Sequence, residues 1–291
     1  MIPGLALGTV QFGMAYGIAN RAGRPDIQTV ADILARARAA GINMLDTAIA
    51  YGEAEAVLGR IGLAGWRVVT KLPPVPEDET DIAGWAEAQV TASLSRLGIS
   101  RLNGLLLHAP AQMHTPRAGA IARALDAIAA EGLARKVGIS IQHPDRDLPG
   151  LLDHMQPSLI QSPCNLLDDA LIRRGWAARL NETGCEIHTR SAFLQGLLLM
   201  SPDQRPQWAA RFGAYWQVWD SWRARHGLPA SAACLRFLHA CPDIDHIVLG
   251  VESVAQLEEL LAIPATPLPD LPGWPQPVDE DLITPSRWPA T

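Results

Sequence analysis

The chain has 291 residues, of which 48% are hydrophobic and 19% charged, which is enough apolar material for one large core or two small ones. Its formal net charge of -6 provides neither a basic stripe for nucleic acid nor a polybasic membrane anchor. No apolar run approaches the roughly 18 residues that a membrane span needs. We therefore expect neither nucleic-acid nor membrane partners.

The N-terminal residues and the cysteines indicate the cellular compartment of the protein. The first residues, MIPGLALGTVQFG, lack a basic region and are interrupted by Pro3 and several glycines, so a signal peptide is not expected. The cysteines at 164, 185, 234 and 241 form no CxxC pair, which is typical of buried reduced thiols. We expect the protein to be cytoplasmic, where thiols stay reduced.

Short apolar runs alternate with amphipathic stretches along the chain. The pattern predicts strands over residues 5–8, 42–46, 67–71, 104–108, 136–140, 158–161, 186–190 and 246–250. It predicts helices over residues 28–40, 54–61, 82–97, 117–131, 146–154, 168–183, a longer block near 204–240, and 254–262. Glycines at 41, 98, 132 and 184 stand where four of these helices would end.

The order of these elements predicts the fold class. Strands that alternate with helices through short connections run parallel and are joined by right-handed crossovers. Eight such units favour an α/β fold of the (β/α)8 TIM barrel type over an open doubly wound sheet. No GxGxxG follows the first strand, which argues against the open dinucleotide-binding fold. No repeat or linker divides the sequence, so residues 1–291 are predicted to form a single barrel domain.

Two regions break the alternation. Residues 204–222 carry aromatic side chains at helical intervals: Trp208, Phe212, Tyr215, Trp216, Trp219 and Trp222. A helix face packed on the barrel is favoured there over a substrate-recognition lid. The tail, residues 264–291, holds eight prolines, which exclude a regular helix or a central strand and predict an extended loop over the barrel.

Four chemically active side chains are predicted to meet at one rim of the barrel. Working residues of α/β barrels lie at the C-terminal ends of strands and in the loops that follow. Asp46, Lys71 and His108 terminate predicted strands, and Tyr51 follows Asp46 by five residues. The other histidines show no metal-binding spacing such as HExxH, so no metal site is expected.

This set of side chains suits the reduction of a carbonyl group. A phenol with the ordinary pKa of about 10 is a reluctant acid at neutral pH, and a neighbouring ammonium favours its phenolate form. Asp46 would hold Lys71 in its charged form, and His108 would donate to the carbonyl oxygen or orient it. Each residue alone also has a structural explanation, with Asp46 and Lys71 as a barrel ion pair and Tyr51 as a packing residue.

The motifs around these residues resemble the aldo-keto reductase superfamily, in particular its bacterial members. They are LGTVQFG at 7–13, DTAIAYG at 46–52, the two strand-end residues Lys71 and His108, GIS at 138–140, IQSPCNLLD at 160–168, RSAFLQGLLL at 190–199 and LGVESVAQLEE at 249–259. The resemblance implies a barrel that uses a nicotinamide cofactor to interconvert a carbonyl and an alcohol. It also implies that Tyr51 is the general acid–base, that Lys71 and Asp46 adjust it, and that His108 positions the substrate.

The resemblance also implies a cofactor site in the loops after strands seven and eight, where phosphates tend to bind in this fold. Ser140 and Gln161 would contact the carboxamide, Leu194 and Gly196 the pyrophosphate, and Gly250, Ser253, Gln256 and Glu259 the adenosine end. Gly8, Thr9, Arg190 and Ser191 complete the predicted set.

Three departures from the family pattern concern the cofactor. Arg190 stands where many relatives have an aromatic residue that stacks on the nicotinamide, although a planar guanidinium also stacks. Ile141 replaces a frequent asparagine. Gln256, close to Glu252, replaces the arginine that often pairs with the 2′-phosphate, which weakens the case for NADPH. NADPH is slightly favoured from family habit, and NADH is the alternative.

Three functions remain open from the sequence. The first is an oxidoreductase that reduces a small aldehyde, ketone or sugar carbonyl, or that oxidises an aldose. The second is a Schiff-base lyase or aldolase that uses Lys71, although a lysine paired to Asp46 stays protonated and is a poor nucleophile. The third is a cofactor-binding subunit with little turnover, against which the four intact rim residues argue. The sequence carries no signal for an oligomeric state.

Overall fold

Eight parallel strands form a closed barrel in this computed structural model, which describes residues 3–20 and 22–289. The strands are β1 (Gly4–Gly8), β2 (Met44–Asp46), β3 (Arg67–Leu72), β4 (Leu102–Leu107), β5 (Ala134–Ser140), β6 (Leu159–Pro163), β7 (Glu186–Arg190) and β8 (His246–Gly250). Each strand pairs with the next in the sequence, and β8 pairs with β1. The predicted (β/α)8 barrel is confirmed.

Helices surround the barrel. They are α1 (Val10–Gly13), α2 (Ile27–Ala39), α3 (Ala54–Ile61), α4 (Ile82–Leu97), α5 (Ala118–Ala130), α6 (Pro144–Leu152), α7 (Ala170–Arg173), α8 (Trp176–Glu182), α9 (Gly213–His226), α10 (Ala230–His239), α11 (Val254–Leu261) and α12 (Glu280–Ile283). No helix within the described ranges is both long enough and apolar enough to cross a membrane.

Strand ends and two helices differ from the prediction. β2 begins two residues later than predicted, and β4 ends at Leu107, so His108 lies just after the strand. The single helix predicted over residues 168–183 is two helices, because Gly175 takes a left-handed φ of +71° between them. The block predicted near 204–240 is likewise divided, at Gly227 with a φ of +61°.

Two apolar layers hold the barrel together. A small cluster fills its interior, made of Ala6, Met44, Val69, Leu106, Leu159 and Val248. A much larger cluster lies between the strands and the surrounding helices. The barrel is therefore a packed core rather than a pore, and its chemistry is confined to its ends.

The aromatic block packs against the barrel as predicted. Trp219 is fully buried and donates its indole N–H to the carbonyl of Leu198 at 3.2 Å. Its ring stacks on that of Trp222, with centroids 5.9 Å apart. Tyr215 and Trp216 on the same helix are also buried. These side chains belong to the core rather than to a lid.

The proline-rich tail crosses the barrel mouth mainly as an extended segment. Trp274 donates to the carbonyl of Leu166 at 2.8 Å, which anchors the tail to the loop after β6. The prediction that the tail contains no helix is wrong over α12, because residues 278–284 are free of proline and Asp279 caps the first turn. Residues 290 and 291 of the predicted tail lie outside the described part of the chain.

Candidate active site

A buried ion pair lies at the C-terminal end of the barrel. The ammonium group of Lys71, on β3, donates hydrogen bonds to Asp46 Oδ2 at 2.7 Å and to the carbonyl of Thr47 at 2.9 Å. Lys71 is 0% exposed and Asp46 is 4% exposed. β2 and β3 are neighbours in the barrel, so the adjacent strand ends bring the two side chains together, as predicted.

The environment keeps Lys71 protonated. Burial is the strongest influence and opposes its charge, but the Asp46 carboxylate and its hydrogen bond outweigh burial, so the pKa of Lys71 is raised above its usual 10.5. A protonated amine has no free electron pair, and this disfavours Lys71 as a Schiff-base nucleophile.

Tyr51 lies beside this ammonium. The Lys71 Nζ atom is 5.1 Å from the centroid of the Tyr51 ring. The loop after β2 holds the phenol there through a hydrogen bond from the Tyr51 amide to the carbonyl of Ala48, at 3.0 Å. Gly13 lies so close that any side chain at that position would overlap the Tyr51 carbonyl oxygen. Gly13 is thus required for the placement of Tyr51.

His108 completes the group at the rim. Its ring meets the Tyr51 ring edge-on, with centroids 5.9 Å apart. Burial, together with the positive charges of Lys71 and Arg190, lowers the pKa of His108 from 6.5 to about 4. The imidazole is therefore neutral at physiological pH and offers one N–H donor to a ligand.

A cavity of about 860 Å³ opens above these side chains. The predicted site residues that line it are Gly8, Thr9, Asp46, Tyr51, His108, Arg190, Ser191, Gly196, Gly250, Gln256 and Glu259. The others, which are Lys71, Ser140, Gln161, Leu194 and Ser253, lie outside its lining. The cavity thus extends from the Tyr51 phenol to the N-terminus of α11.

Gln161 hydrogen-bonds to Asp46. Its side-chain amide is fully buried and donates to Asp46 Oδ1 at 2.6 Å. Ser140 Oγ lies 3.4 Å from the Gln161 carbonyl oxygen. The two side chains therefore join the hydrogen-bond network of Asp46, and neither lines the cavity.

Arg190 lies at the side of the cavity. Its guanidinium donates to the carbonyl of Ile141 at 2.9 Å and to Ser191 Oγ at 3.2 Å. These two contacts use part of its five-donor fork, so the remaining donors are available to a ligand.

The loop after β7 has an unusual backbone. Ser191, Leu194 and Gln195 adopt left-handed φ values of +61°, +48° and +51°, a costly conformation that collects at functional sites. Gly196 follows at +89°, and a Cβ on it would lie 2.5 Å from the Cβ of Ala19. The loop is therefore shaped to lie close to the segment after α1.

The residues at the far end of the cavity form hydrogen bonds with one another. Ser253 accepts a hydrogen bond from the Gln256 amide at 3.2 Å and so caps α11. The Gln256 side chain in turn accepts from the Glu252 amide at 2.7 Å. Glu259 accepts from the hydroxyl of Ser231 at 2.9 Å. A ligand here would have to displace some of these contacts.

Among the cavity residues that the sequence reasoning missed, two carry polar groups close to β1. Gln11 lines the cavity, and its side-chain carbonyl oxygen is buried without a hydrogen-bond partner. Tyr16 also lines it, and although the residue is 40% exposed, partial burial and the nearby Tyr51 raise the pKa of this second phenol above 10. Gln11 lies in the LGTVQFG motif at 7–13 and Tyr16 lies three residues beyond it, so the motif was the available signal for Gln11.

A second polar cluster lies at the opposite, N-terminal end. Glu186, His188 and His246 bring potential metal-ligating atoms within 4.8 Å of one another, a grouping that no sequence spacing indicated. Lys136 already pairs with Glu186, and Arg67 lies 3.3 Å from His246 Nε2. Two positive charges therefore oppose a metal cation there.

Comparison with known proteins gives one family match and several similar structures. The profile of the Aldo/keto reductase family matches residues 4–271, and no curated protein sequence gives a significant match. A glycerol dehydrogenase from Gluconobacter oxydans is 24% identical, with 92% of this chain and 90% of that chain covered and a TM-score of 0.72.

An aldo-keto reductase from Bacillus halodurans, in its holo form, is 21% identical, with 92% and 88% covered and a TM-score of 0.70. At these identities the likeness to solved structures shows the shared barrel fold. The family profile, which covers most of the sequence, shows more: the chain belongs to the aldo/keto reductase family and is an oxidoreductase of the carbonyl-reducing kind.

Proposed function

We propose that this protein is a nicotinamide-dependent carbonyl reductase in which Tyr51 exchanges a proton with the substrate oxygen. One observation carries the proposal: a buried, protonated Lys71 held by Asp46 lies 5.1 Å from the ring of Tyr51, and both Asp46 and Tyr51 line a large cavity. An ammonium this close stabilises the phenolate that Tyr51 becomes when it gives up its proton. Tyr51 can then act as an acid in reduction and as a base in oxidation.

Neutral His108 has a different task. Because its pKa lies near 4, the imidazole is not protonated at neutral pH and is not the acid of the reaction. Its single N–H can still donate a hydrogen bond to the substrate oxygen. A donor aimed at an oxygen that gains negative charge stabilises the transition state. His108 thus orients the carbonyl, and Tyr51 supplies the proton.

The cavity fits a nicotinamide cofactor. The unpartnered buried oxygen of Gln11 needs a donor, and a Cβ on Gly250 would lie 2.5 Å from the Gln11 side chain, so the glycine at the strand end leaves room for Gln11 at the cavity wall. Gly8, Thr9, Arg190, Ser191, Gly196, Gly250, Gln256 and Glu259 are the lining residues that would hold it. When bound, the cofactor supplies the hydride.

The structure supports a narrower set of cofactor contacts than the resemblance implies. Gln161 and Ser140 are proposed to act through the hydrogen-bond network of Asp46, and Leu194 and Ser253 to act through the loop and the helix cap in which they lie. NADPH, slightly favoured from the sequence, and NADH both remain in the proposal.

The proposed substrate is a small aldehyde, ketone or sugar carbonyl, or the corresponding alcohol in the reverse direction. The barrel resembles that of a glycerol dehydrogenase, whose name describes oxidation of a small polyol. The polar rim of the cavity, with two phenols and an imidazole, suits a substrate of this polarity.

A substrate panel tests the proposal. Aldoses, short aldehydes and pyridoxal are supplied with NADPH or NADH, and oxidation is followed at the nicotinamide absorbance. We expect carbonyl-dependent oxidation of at least one reduced cofactor. Borohydride trapping of a carbonyl substrate on Lys71 without any cofactor oxidation would instead support a lyase and contradict the proposal.

A further inference from the structure

A second cavity, of about 470 Å³, lies beside the first. The loops after β5, β6 and β7 form one side of it, and the tail around α12 forms the other. It shares Gln142, Arg190, Ser191 and Pro285 with the larger cavity. A ligand at the reaction site could therefore extend into it past Arg190.

Most charged residues in its wall are already paired. Arg146 pairs with Asp147 at 2.8 Å, and Arg287 pairs with Glu280 at 3.0 Å. Asp145 accepts from the indole N–H of Trp176 at 2.6 Å. These groups have protein partners and do not require a ligand.

Two opposite charges in the wall remain without an ionic partner among the described residues: Asp168 and Arg190. Asp168 follows β6 and is only 6% exposed, yet it faces the cavity. Arg190 reaches the same space and bonds only a backbone carbonyl and a hydroxyl. No nitrogen of Arg190 lies within 4.0 Å of an Asp168 oxygen, so a gap separates an acceptor from a donor.

Keeping Asp168 buried costs free energy. Burial is the main cause that raises its pKa from 3.8 to about 7, although the Ala170 amide and the charge of Arg190 counteract it. A buried carboxyl that lacks a charged partner and faces a cavity is typical of a ligand-binding group. Hydroxyl donors from a ligand would restore the hydrogen bonds that burial removes.

We propose that the second cavity is a hydroxyl-binding subsite, in which Asp168 accepts hydrogen bonds from the neutral, polyhydroxylated arm of the carbonyl substrate. Arg190, which lines both cavities, donates to the same arm with the N–H groups that the cofactor leaves free. This inference rests on the proposed reductase function, because it takes the ligand of the subsite to be the carbonyl substrate. It assigns to Asp168 a role in choosing the substrate, not in the chemical step.

The charge balance selects a neutral polyol over other ligands. At pH 8, where the tests below are run and Asp168 with its pKa of about 7 is mostly ionised, one carboxylate and one guanidinium cancel, so a phosphorylated or carboxylated arm would meet the Asp168 charge and a cationic arm would meet Arg190. An apolar arm would leave both charges buried and unsatisfied. A vicinal diol can donate one hydroxyl hydrogen to Asp168 and accept a hydrogen bond from Arg190 with the other hydroxyl, so it can bridge the two side chains.

The kinetic test compares two four-carbon aldehydes, D-erythrose and butanal, which differ in their hydroxyl groups. In Asp168→Ala and Asp168→Asn we expect the ratio of kcat/KM for erythrose to that for butanal to fall by about tenfold or more, mainly through the KM for erythrose, because a hydroxyl-binding site discriminates by this order at least. Asp169→Asn is the matched control, since Asp169 is adjacent but pairs with Arg173 at 2.9 Å on the surface.

A binding test needs no turnover. Erythritol is titrated calorimetrically into the wild-type protein and into the Asp168→Ala variant, and we expect an approximately tenfold weaker affinity in the variant. Erythrose 4-phosphate is expected to be a poorer substrate than erythrose, and a much lower KM for the phosphate would overturn the choice of a neutral ligand.

The outcomes separate this inference from the proposed function. If no carbonyl compound of the substrate panel is reduced, the proposed function fails, while the erythritol titration still tests the subsite. If butanal is reduced but the Asp168 variants leave the erythrose-to-butanal ratio and the erythritol affinity unchanged, the subsite is refuted. Equal changes in the Asp169→Asn control would also refute it.

Discussion

The two ends of the barrel carry similar side chains in different surroundings. At the C-terminal end Lys71 pairs with Asp46, and at the N-terminal end Lys136 pairs with Glu186; an imidazole stands near each pair. The side chain of Lys71 is 0% exposed and that of Lys136 is 33% exposed. The C-terminal pair lies under a cavity that also reaches Tyr51, while the N-terminal carboxylate is bonded by its own neighbours.

This difference shows that a cluster of ionisable residues does not by itself identify an active site. Both clusters would pass as catalytic if only their residue types were considered. What separates them is a cavity next to the charge and a weak acid placed to respond to that charge. We expect the C-terminal cluster to control activity and the N-terminal cluster to control stability.

Removing the lysine at each end gives the largest expected contrast. Lys71→Met leaves Asp46 buried without its cation, which should lower the free energy of unfolding by about 3–5 kcal/mol. The same change should lower turnover by at least ~10², because Tyr51 loses the ammonium that supports its ionisation. Lys136→Met should cost about 1 kcal/mol, as a partly exposed pair does, and leave turnover unchanged. Urea unfolding and steady-state rates measure both, and equal losses of activity would contradict the distinction.

The carboxyl groups at the two ends should respond to pH in opposite directions. Glu186 has a pKa lowered from 4.5 to about 2 by its hydrogen bonds to His188 and Lys136, which outweigh burial. Its contribution to stability is therefore complete above pH 4.5 and lost as the pH falls toward 2, up to roughly 3 kcal/mol.

Asp168 shows the reverse behaviour. Its folded-state pKa is raised from 3.8 to about 7 by burial, so the folded state holds a proton that the unfolded state has released, and stability falls as the pH rises from about 4 to 7. Asp168→Asn should be more stable than wild type at pH 8, by up to roughly 4 kcal/mol, and Glu186→Gln less stable. Chemical unfolding at pH 5 and pH 8 checks both signs, and a destabilised Asp168→Asn at pH 8 would show the sign to be wrong.

A smaller effect is expected within the C-terminal end itself. Gln256→Arg places a cation at the start of α11, near the predicted adenosine end, and should shift the ratio of NADPH to NADH affinity by about tenfold toward NADPH, as a charged hydrogen bond would. Fluorescence titration of both reduced cofactors measures the shift. Gln204→Arg, remote from the cavity, serves as a control for the added charge, and an unchanged ratio in Gln256→Arg would show that this helix is misassigned.

The smallest expected effect concerns His108. Because burial and nearby positive charge hold its pKa near 4, it stays neutral from pH 5.5 upward, and kcat/KM should show no change from this group between pH 5.5 and 7. A decline with an apparent pKa near 6.5 that disappears in His108→Gln would show that the imidazole is not desolvated.

Much of the barrel and its rim could be predicted because the signals are local. Strands buried on both faces are continuous apolar runs, and a residue at the end of such a run lies at the rim whatever the rest of the chain does. Asp46, Lys71 and Tyr51 are brought together for this reason. The breaks at Gly175 and Gly227 were missed because a left-handed glycine inside an amphipathic stretch gives the same pattern as a glycine in a continuous helix.

The remaining features depend on how the barrel closes. Gln161 bonds Asp46 across 115 residues of sequence, so its partner is decided by tertiary structure. Asp168 likewise faces a cavity whose other wall is the tail around α12, so its surroundings are decided by tertiary structure. The cluster around Glu186 and His246 forms because β7 and β8 are neighbours in the closed barrel, and no spacing within the sequence announces it.

The most direct test of the central claim, that Tyr51 moves the substrate proton, is Tyr51→Phe measured for cofactor affinity and for turnover in the same preparation. Fluorescence titration should give an affinity for reduced cofactor within about twofold of wild type, and turnover should fall by about 10²–10⁴, the usual contribution of a positioned acid. Turnover equal to that of the wild type would remove Tyr51 from the chemistry and contradict the account.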